Sequence, residues 1–149
     1  MIKETLSRIY EMDLQKVIQE IKLYENEADL WKLPDGITNS GGNLALHLIG
    51  NIKHFFGAVL GETGYKRERD LEFSNKNVSR AEIINGLNEA IKVLKTTLND
   101  MTDDDFQTDY PMEFGGEIQK TFSVIVYMLS HLNFHLGQIN YHRRLLQNK

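Results

Sequence analysis

Apolar residues recur every three to four positions through four long stretches of this 149-residue chain, and it contains only two prolines. Each stretch therefore carries its apolar side chains on one helical face that must be buried against another, and the chain is predicted to be all-α. Leu6, Ile9, Leu14, Val17, Ile21 and Tyr24 mark a first helix from about Glu4 to Ala28. Trp31 and the turn Leu33-Pro34-Asp35-Gly36 close it, and Asn39 or Ser40 caps a second helix that continues to about Leu60. On that helix Leu44, His47, Leu48, Asn51, Phe55 and Ala58 share a face. Ser79-Arg80-Ala81-Glu82 reads as a capping box opening a third helix, whose stripe is Ile83, Leu87, Ile91, Leu94 and Leu98. The fourth runs from about Thr121 to Leu146 along Ile125, Met128, Leu132, Leu136 and Ile139.

Two connections stand between these elements. Gly61 to Val78 mixes glycine, charge and asparagine without periodicity, and its 18 residues span up to about 60 Å when extended. That is enough to cross a bundle of helices about 30 Å long and leave helices two and three parallel. From Asp100 to Lys120 the pattern resembles a hairpin turning at Gly115-Gly116, after a cap at Thr102 to Asp105. No internal repeat or second domain is evident, so residues 1–149 are predicted to form one domain.

Composition narrows the function. A net charge of -4 with no concentrated Lys/Arg stripe provides no electrostatic footprint for nucleic acid. No apolar run approaches the roughly 20 residues of a membrane span, and Met1-Ile2-Lys3-Glu4 does not open a signal peptide, so a cytoplasmic protein is expected. Without cysteine the chain has no disulfide and no thiol nucleophile. A metal would have to be held by nitrogen and oxygen, and any thiol chemistry needs a co-substrate.

The histidines carry the strongest chemical signal. His131 and His135 lie four residues apart on one face of the fourth helix, about one turn or roughly 6 Å of rise. His47 faces the core from the second helix. A single histidine on an apolar face is usually a hydrogen-bonded core residue, but three imidazoles directed inward are costly to bury together without a ligand. His47, His131 and His135 are therefore the expected ligands of one divalent ion, with a coordination position left open for chemistry. His54 and His142 each follow a proposed ligand by seven residues, about 10.5 Å of rise, and are expected to be peripheral to the ion.

Asn43, Asn51, Gln138, Asn140, Tyr127 and Tyr141 are candidates to accept the second N–H of a metal-bound imidazole or to orient a substrate. Glu62, Glu113 and Glu117 are candidate general bases if loops bring them over the ion. Asp103-Asp104-Asp105 lacks the glycine and distal glutamate of a calcium loop and reads as a solvated cap.

Asn43-Leu44-Ala45-Leu46-His47-Leu48-Ile49-Gly50-Asn51, together with His131-Leu132-Asn133-Phe134-His135-Leu136-Gly137-Gln138-Ile139, resembles the DinB/YfiT-like metalloenzyme superfamily. The likeness extends over essentially the whole chain, including Trp31 with its Pro-Gly turn and the long crossover. It implies a four-helix bundle of up-down-down-up topology and frequent homodimers. It also implies a zinc- or nickel-type site on His47, His131 and His135. Some members resemble thiol-dependent S-transferases or isomerases, so a low-molecular-weight thiol and a small electrophile are the substrates the resemblance suggests. Metal-dependent hydrolysis of an ester or amide is an alternative, as is a non-catalytic metal-binding bundle.

Overall fold

A computed structural model describes residues 1–147, and among these the chain is all-helical, with five α-helices and no strand. Helix α1 spans Ile2–Leu23 and buries Leu6, Tyr10, Leu14, Val17, Ile18 and Ile21. It stops short of the expected Ala28. Tyr24 leaves the helix in an extended conformation and sends its hydroxyl into the core, and a 3-10 turn follows over Glu27–Trp31.

Helix α2 spans Gly41–Ile52, with Ser40 as its cap accepting from the Asn43 amide at 3.2 Å. The helix continues to Leu60 as expected, but Lys53–Leu60 winds as a π-helix. The wider turns change which groups the backbone carbonyls meet. The Phe55 carbonyl accepts from the Tyr110 hydroxyl at 2.8 Å, and the Phe56 carbonyl from the Thr97 hydroxyl at 3.3 Å. Neighbouring elements thus support the unusual winding.

The crossover is not the structureless connection its composition suggests. It contains a short helix α3, Arg69–Ser74, which packs on α2. Polar contacts, not an apolar stripe, hold it there: Leu71 is exposed, and Asn43 donates from its side-chain amide to the Glu72 carbonyl at 2.9 Å and the Asn75 carbonyl at 2.8 Å. A helix docked by hydrogen bonds leaves no hydrophobic period to read, so periodicity predicts four helices where the described residues form five.

Helix α4, Arg80–Asp100, begins with the expected capping box of Ser79 and Glu82. A 3-10 turn over Asp105–Gln107 follows it. The expected hairpin is reduced to two isolated antiparallel bridges, Asp109 with Lys120 and Phe114 with Glu117. Gly115 and Gly116 make its tip with φ of 66° and 86°, angles that glycine adopts without steric cost.

Helix α5, Thr121–Gln147, has 27 residues, about 40 Å of rise. It buries Ile125, Met128, Leu132 and Ile139, with Leu136 half-buried in the same seam. Helix α1 packs against α4 and α5, and α2 packs against the same two helices as well as α3. The α2–α5 contact brings His47 of α2 beside His131 of α5. No described helix is long and apolar enough to cross a membrane.

Candidate metal centre

The α2–α5 packing brings together the three histidines singled out from the sequence. His47 is buried, and its Nε2 lies 3.2 Å from Nε2 of His131. His131 Nε2 in turn lies 3.0 Å from Nε2 of His135, one turn further along α5. One ligand atom from each residue falls within 4.8 Å of the others, so the set can hold a metal ion. Tetrahedral zinc with bonds of about 2.0–2.1 Å places its nitrogens roughly 3.3–3.4 Å apart, close to the observed contacts.

The outer nitrogens explain why the inner ones converge. His47 Nδ1 is 3.0 Å from Glu72 Oε1, so a proton on Nδ1 is donated to the carboxylate and the lone pair is left on Nε2. His135 Nδ1 is 2.7 Å from Gln138 Oε1, which selects the same tautomer. Two lone pairs therefore face His131 Nε2, which can offer at most one proton. A divalent cation satisfies all three nitrogens at once, and on these grounds the residues fit such an ion.

Glu72 is the functional residue that sequence reasoning missed. It is buried, and Arg67 grips its carboxylate with Nε to Oε2 and Nη2 to Oε1, both at 2.9 Å. Gly50 provides the space for this arrangement, because a Cβ at that position would overlap the Glu72 carboxylate. Burial pushes the carboxyl pKa up, but hydrogen bonds from His47 and Arg67 outweigh burial and hold it below the usual range. The available signal was chemical: a metal-bound imidazole needs an acceptor for its other N–H, and the crossover supplies several carboxylates.

His131 differs from its two partners. Burial, followed by the charges of His135, His47 and Arg67, lowers its pKa to about 4, and its Nδ1 is buried with no partner among the described residues. Burial lowers the His135 pKa too, against an opposing hydrogen bond to Gln138. Both rings are thus held neutral near pH 7, the form that binds metal.

The remaining candidates divide clearly. Gln138 holds His135, as anticipated, while Asn43 acts indirectly by fixing α3 and hence Glu72. Asn51 is buried on α2. Asn140 instead ties α5 to α1 through Glu20 at 2.8 Å. Tyr127 and Tyr141 are exposed, as are Glu62, Glu113 and Glu117, none of which joins the histidine group. His54 is half-buried against Phe55. His142 lies outside the histidine group and is fully buried: its Nδ1 meets the Tyr24 hydroxyl at 2.7 Å and its Nε2 the Lys32 carbonyl at 2.8 Å. Its nitrogens are committed to closing the loop after α1.

Residues 2–149 match the family described as "Protein of unknown function (DUF1572)". The chain belongs to that family. A comparison with curated proteins finds no match. The DUF1572 match covers both histidine-bearing helices and the crossover that carries Glu72.

Two outcomes test this description. Alanine at His47, His131 or His135 should abolish stoichiometric binding of added zinc or nickel, measured by titration and elemental analysis. Glu72→Gln should weaken binding by about 10–100-fold with the fold retained, and His142→Ala should leave stoichiometry unchanged where it folds. Full occupancy in His131→Ala would contradict the centre.

The second outcome concerns pH. Burial lowers the His142 pKa from its ordinary value of about 6.5, against opposing effects of the Lys32 carbonyl and Asp29. Below pH 6.5 the unfolded chain binds a proton there that the native state refuses. This contribution to stability is complete above pH 6.5 and declines as pH falls towards the native pKa. In chelator-treated protein, the unfolding free energy of His142→Gln should therefore fall less steeply than wild type between pH 6.5 and 5. Parallel slopes in urea denaturation would show that His142 is not held neutral.

Proposed function

We propose that this DUF1572 protein is a divalent-metal-dependent enzyme on a four-helix bundle of up-down-down-up topology. Zinc or nickel is the resident ion, and the most favoured activity is thiol-dependent S-transfer to a small electrophile. The observation that carries the reading is the convergence of three imidazole Nε2 atoms with no fourth protein ligand in the group among the described residues, which leaves coordination open to a substrate. The bundle is supported by the packing of α1 and α2 each against both α4 and α5.

When bound, a divalent ion in such a site lowers the pKa of a coordinating thiol and makes the thiolate available at neutral pH. The chain's own part is to hold and orient. His47, His131 and His135 supply neutral nitrogens, while Glu72 and Gln138 accept the Nδ1 protons and fix the ring planes. The rings of Phe73, centred 4.9 Å from His47, and Phe134, 5.5 Å from His135, form apolar flanks beside the donors. In the transfer, the thiol proton passes to solvent, sulfur bonds to the electrophilic carbon, and the leaving group departs with the electron pair of the broken bond. The sulfur must come from a small molecule, since the chain has no cysteine. A low-molecular-weight thiol kept reduced in the cytoplasm meets that need.

Hydrolysis is the weaker reading because it calls for a carboxylate base free to act beside the ion. Both Glu72 oxygens are engaged by His47 and Arg67, and Glu62, Glu113 and Glu117 lie outside the histidine group. A homodimer is part of the proposal. Tyr127, Phe134 and Tyr141 stand exposed at seven-residue intervals along α5, an apolar stripe that a second copy would cover.

The test is spectroscopic. Millimolar bacillithiol, or glutathione as a second probe, added to cobalt-substituted protein should produce strong sulfur-to-metal charge-transfer bands, and His135→Ala should remove them. An unchanged cobalt spectrum with both thiols would overturn the S-transferase reading and move hydrolysis or silent metal binding ahead.

A further inference from the structure

A cavity of about 740 Å³ lies where the π-helical segment meets α4 and the chain leading into the hairpin, and none of the three histidines lines it. Its volume falls within the range of small-molecule sites, about 300–1,000 Å³. Val59 and Leu60 from the π segment, Val93 and Met101 from and just beyond α4, and the buried Thr97 and Thr121 provide a mostly apolar wall. Charge is concentrated around this wall. Five carboxylates and two lysines border the cavity, an excess of three negative charges.

Most of that charge is already committed. Glu89 pairs with Lys53 at 2.6 Å, Asp109 pairs with Lys120 at 2.7 Å, and Asp105 accepts from the Thr102 amide at 2.7 Å. Among the described residues Glu62 and Asp100 have no cationic partner, and Lys92 alone is of opposite sign and unpaired. Glu62 also holds φ at 49°, a left-handed backbone that non-glycine residues rarely adopt, between Gly61 and Thr63 at the same cavity.

We propose that this cavity is a second binding site, separate from the histidine centre, for a small molecule with an ammonium head on an apolar body. The body fits against Val59, Leu60, Val93 and Met101. The head meets the free carboxylates of Glu62 and Asp100, and a carboxylate-bearing ligand of the same shape is repelled by the negative border. The π winding makes the site possible: it places Val59 and Leu60 opposite α4 while its Phe56 carbonyl is tied to Thr97.

Three isosteric probes test this directly: phenylbutylamine, phenylbutanol and phenylbutanoate, titrated into the full-length protein with backbone amide shifts followed by NMR. The amine should bind at least tenfold more tightly than the carboxylate, with shifts confined to residues 53–63, 89–101 and 105–121. The double variant Glu62→Gln, Asp100→Asn should reduce the amine to the affinity of the alcohol, and Thr96→Trp should fill the cavity and weaken all three probes at least tenfold. If the tryptophan variant does not fold, the charge variant alone decides. Amine binding unchanged in His131→Ala would separate this site from the metal centre. No amine binding at millimolar concentration, equal binding of the carboxylate, or shifts centred on the histidines would overturn the proposal.

Discussion

The contact between α2 and α5 concentrates three imidazole nitrogens in one place, and the surrounding structure is arranged to keep them there. Neutral nitrogens 3.0–3.2 Å apart gain little from each other once two of them have been given outward-facing protons. Glu72 and Gln138 impose that protonation, so the convergence costs free energy that a cation can return. The same low-dielectric surroundings depress the His131 and His135 pKa values, keeping the rings neutral and competent to bind. The fold and the site are therefore coupled: whatever holds α2 against α5 holds the donor set, and an ion bound there strengthens that packing in return.

A second layer of support reaches the centre through the crossover. Asn43 anchors α3 by two backbone carbonyls, Gly50 leaves room for the Glu72 carboxylate, and Arg67 balances its charge. Arg67 lies over the Phe55 ring, which belongs to the π segment, and Phe55 also packs against Phe114 of the hairpin. Two segments that look irregular in sequence thus bear on the position of one buried carboxylate. Their irregularity is consistent with a role in positioning groups, since long connections in small domains commonly carry function.

Much of this was legible in the sequence, for physical reasons. Helical periodicity located α1, α2, α4 and α5 to within a few residues because each buries one continuous apolar stripe. The Ser79–Glu82 capping box marked the start of α4 because its two reciprocal hydrogen bonds are local. His47, His131 and His135 could be grouped because an i,i+4 pair and a core-facing position depend on the helices alone. What escaped depends on tertiary contacts. The α1 terminus is decided by Tyr24 reaching His142, 118 residues away in sequence. The π winding is supported by hydroxyls from Tyr110 and Thr97, and α3 is docked by polar groups without a hydrophobic period. Glu72 was hidden for the same reason, and the burial of His142 depends on Tyr24 and on the Lys32 carbonyl of a distant loop.

His47, His131 and His135 are placed to hold one divalent ion through their Nε2 atoms. Anomalous diffraction from crystals of metal-replete protein, recorded on both sides of the zinc or nickel absorption edge, tests it most directly. A single peak is expected, present only above the edge of the bound metal, at about 2.0–2.1 Å from all three Nε2 atoms for zinc. A peak elsewhere on the protein, or no peak between the imidazoles of protein that elemental analysis shows to be loaded, would contradict it.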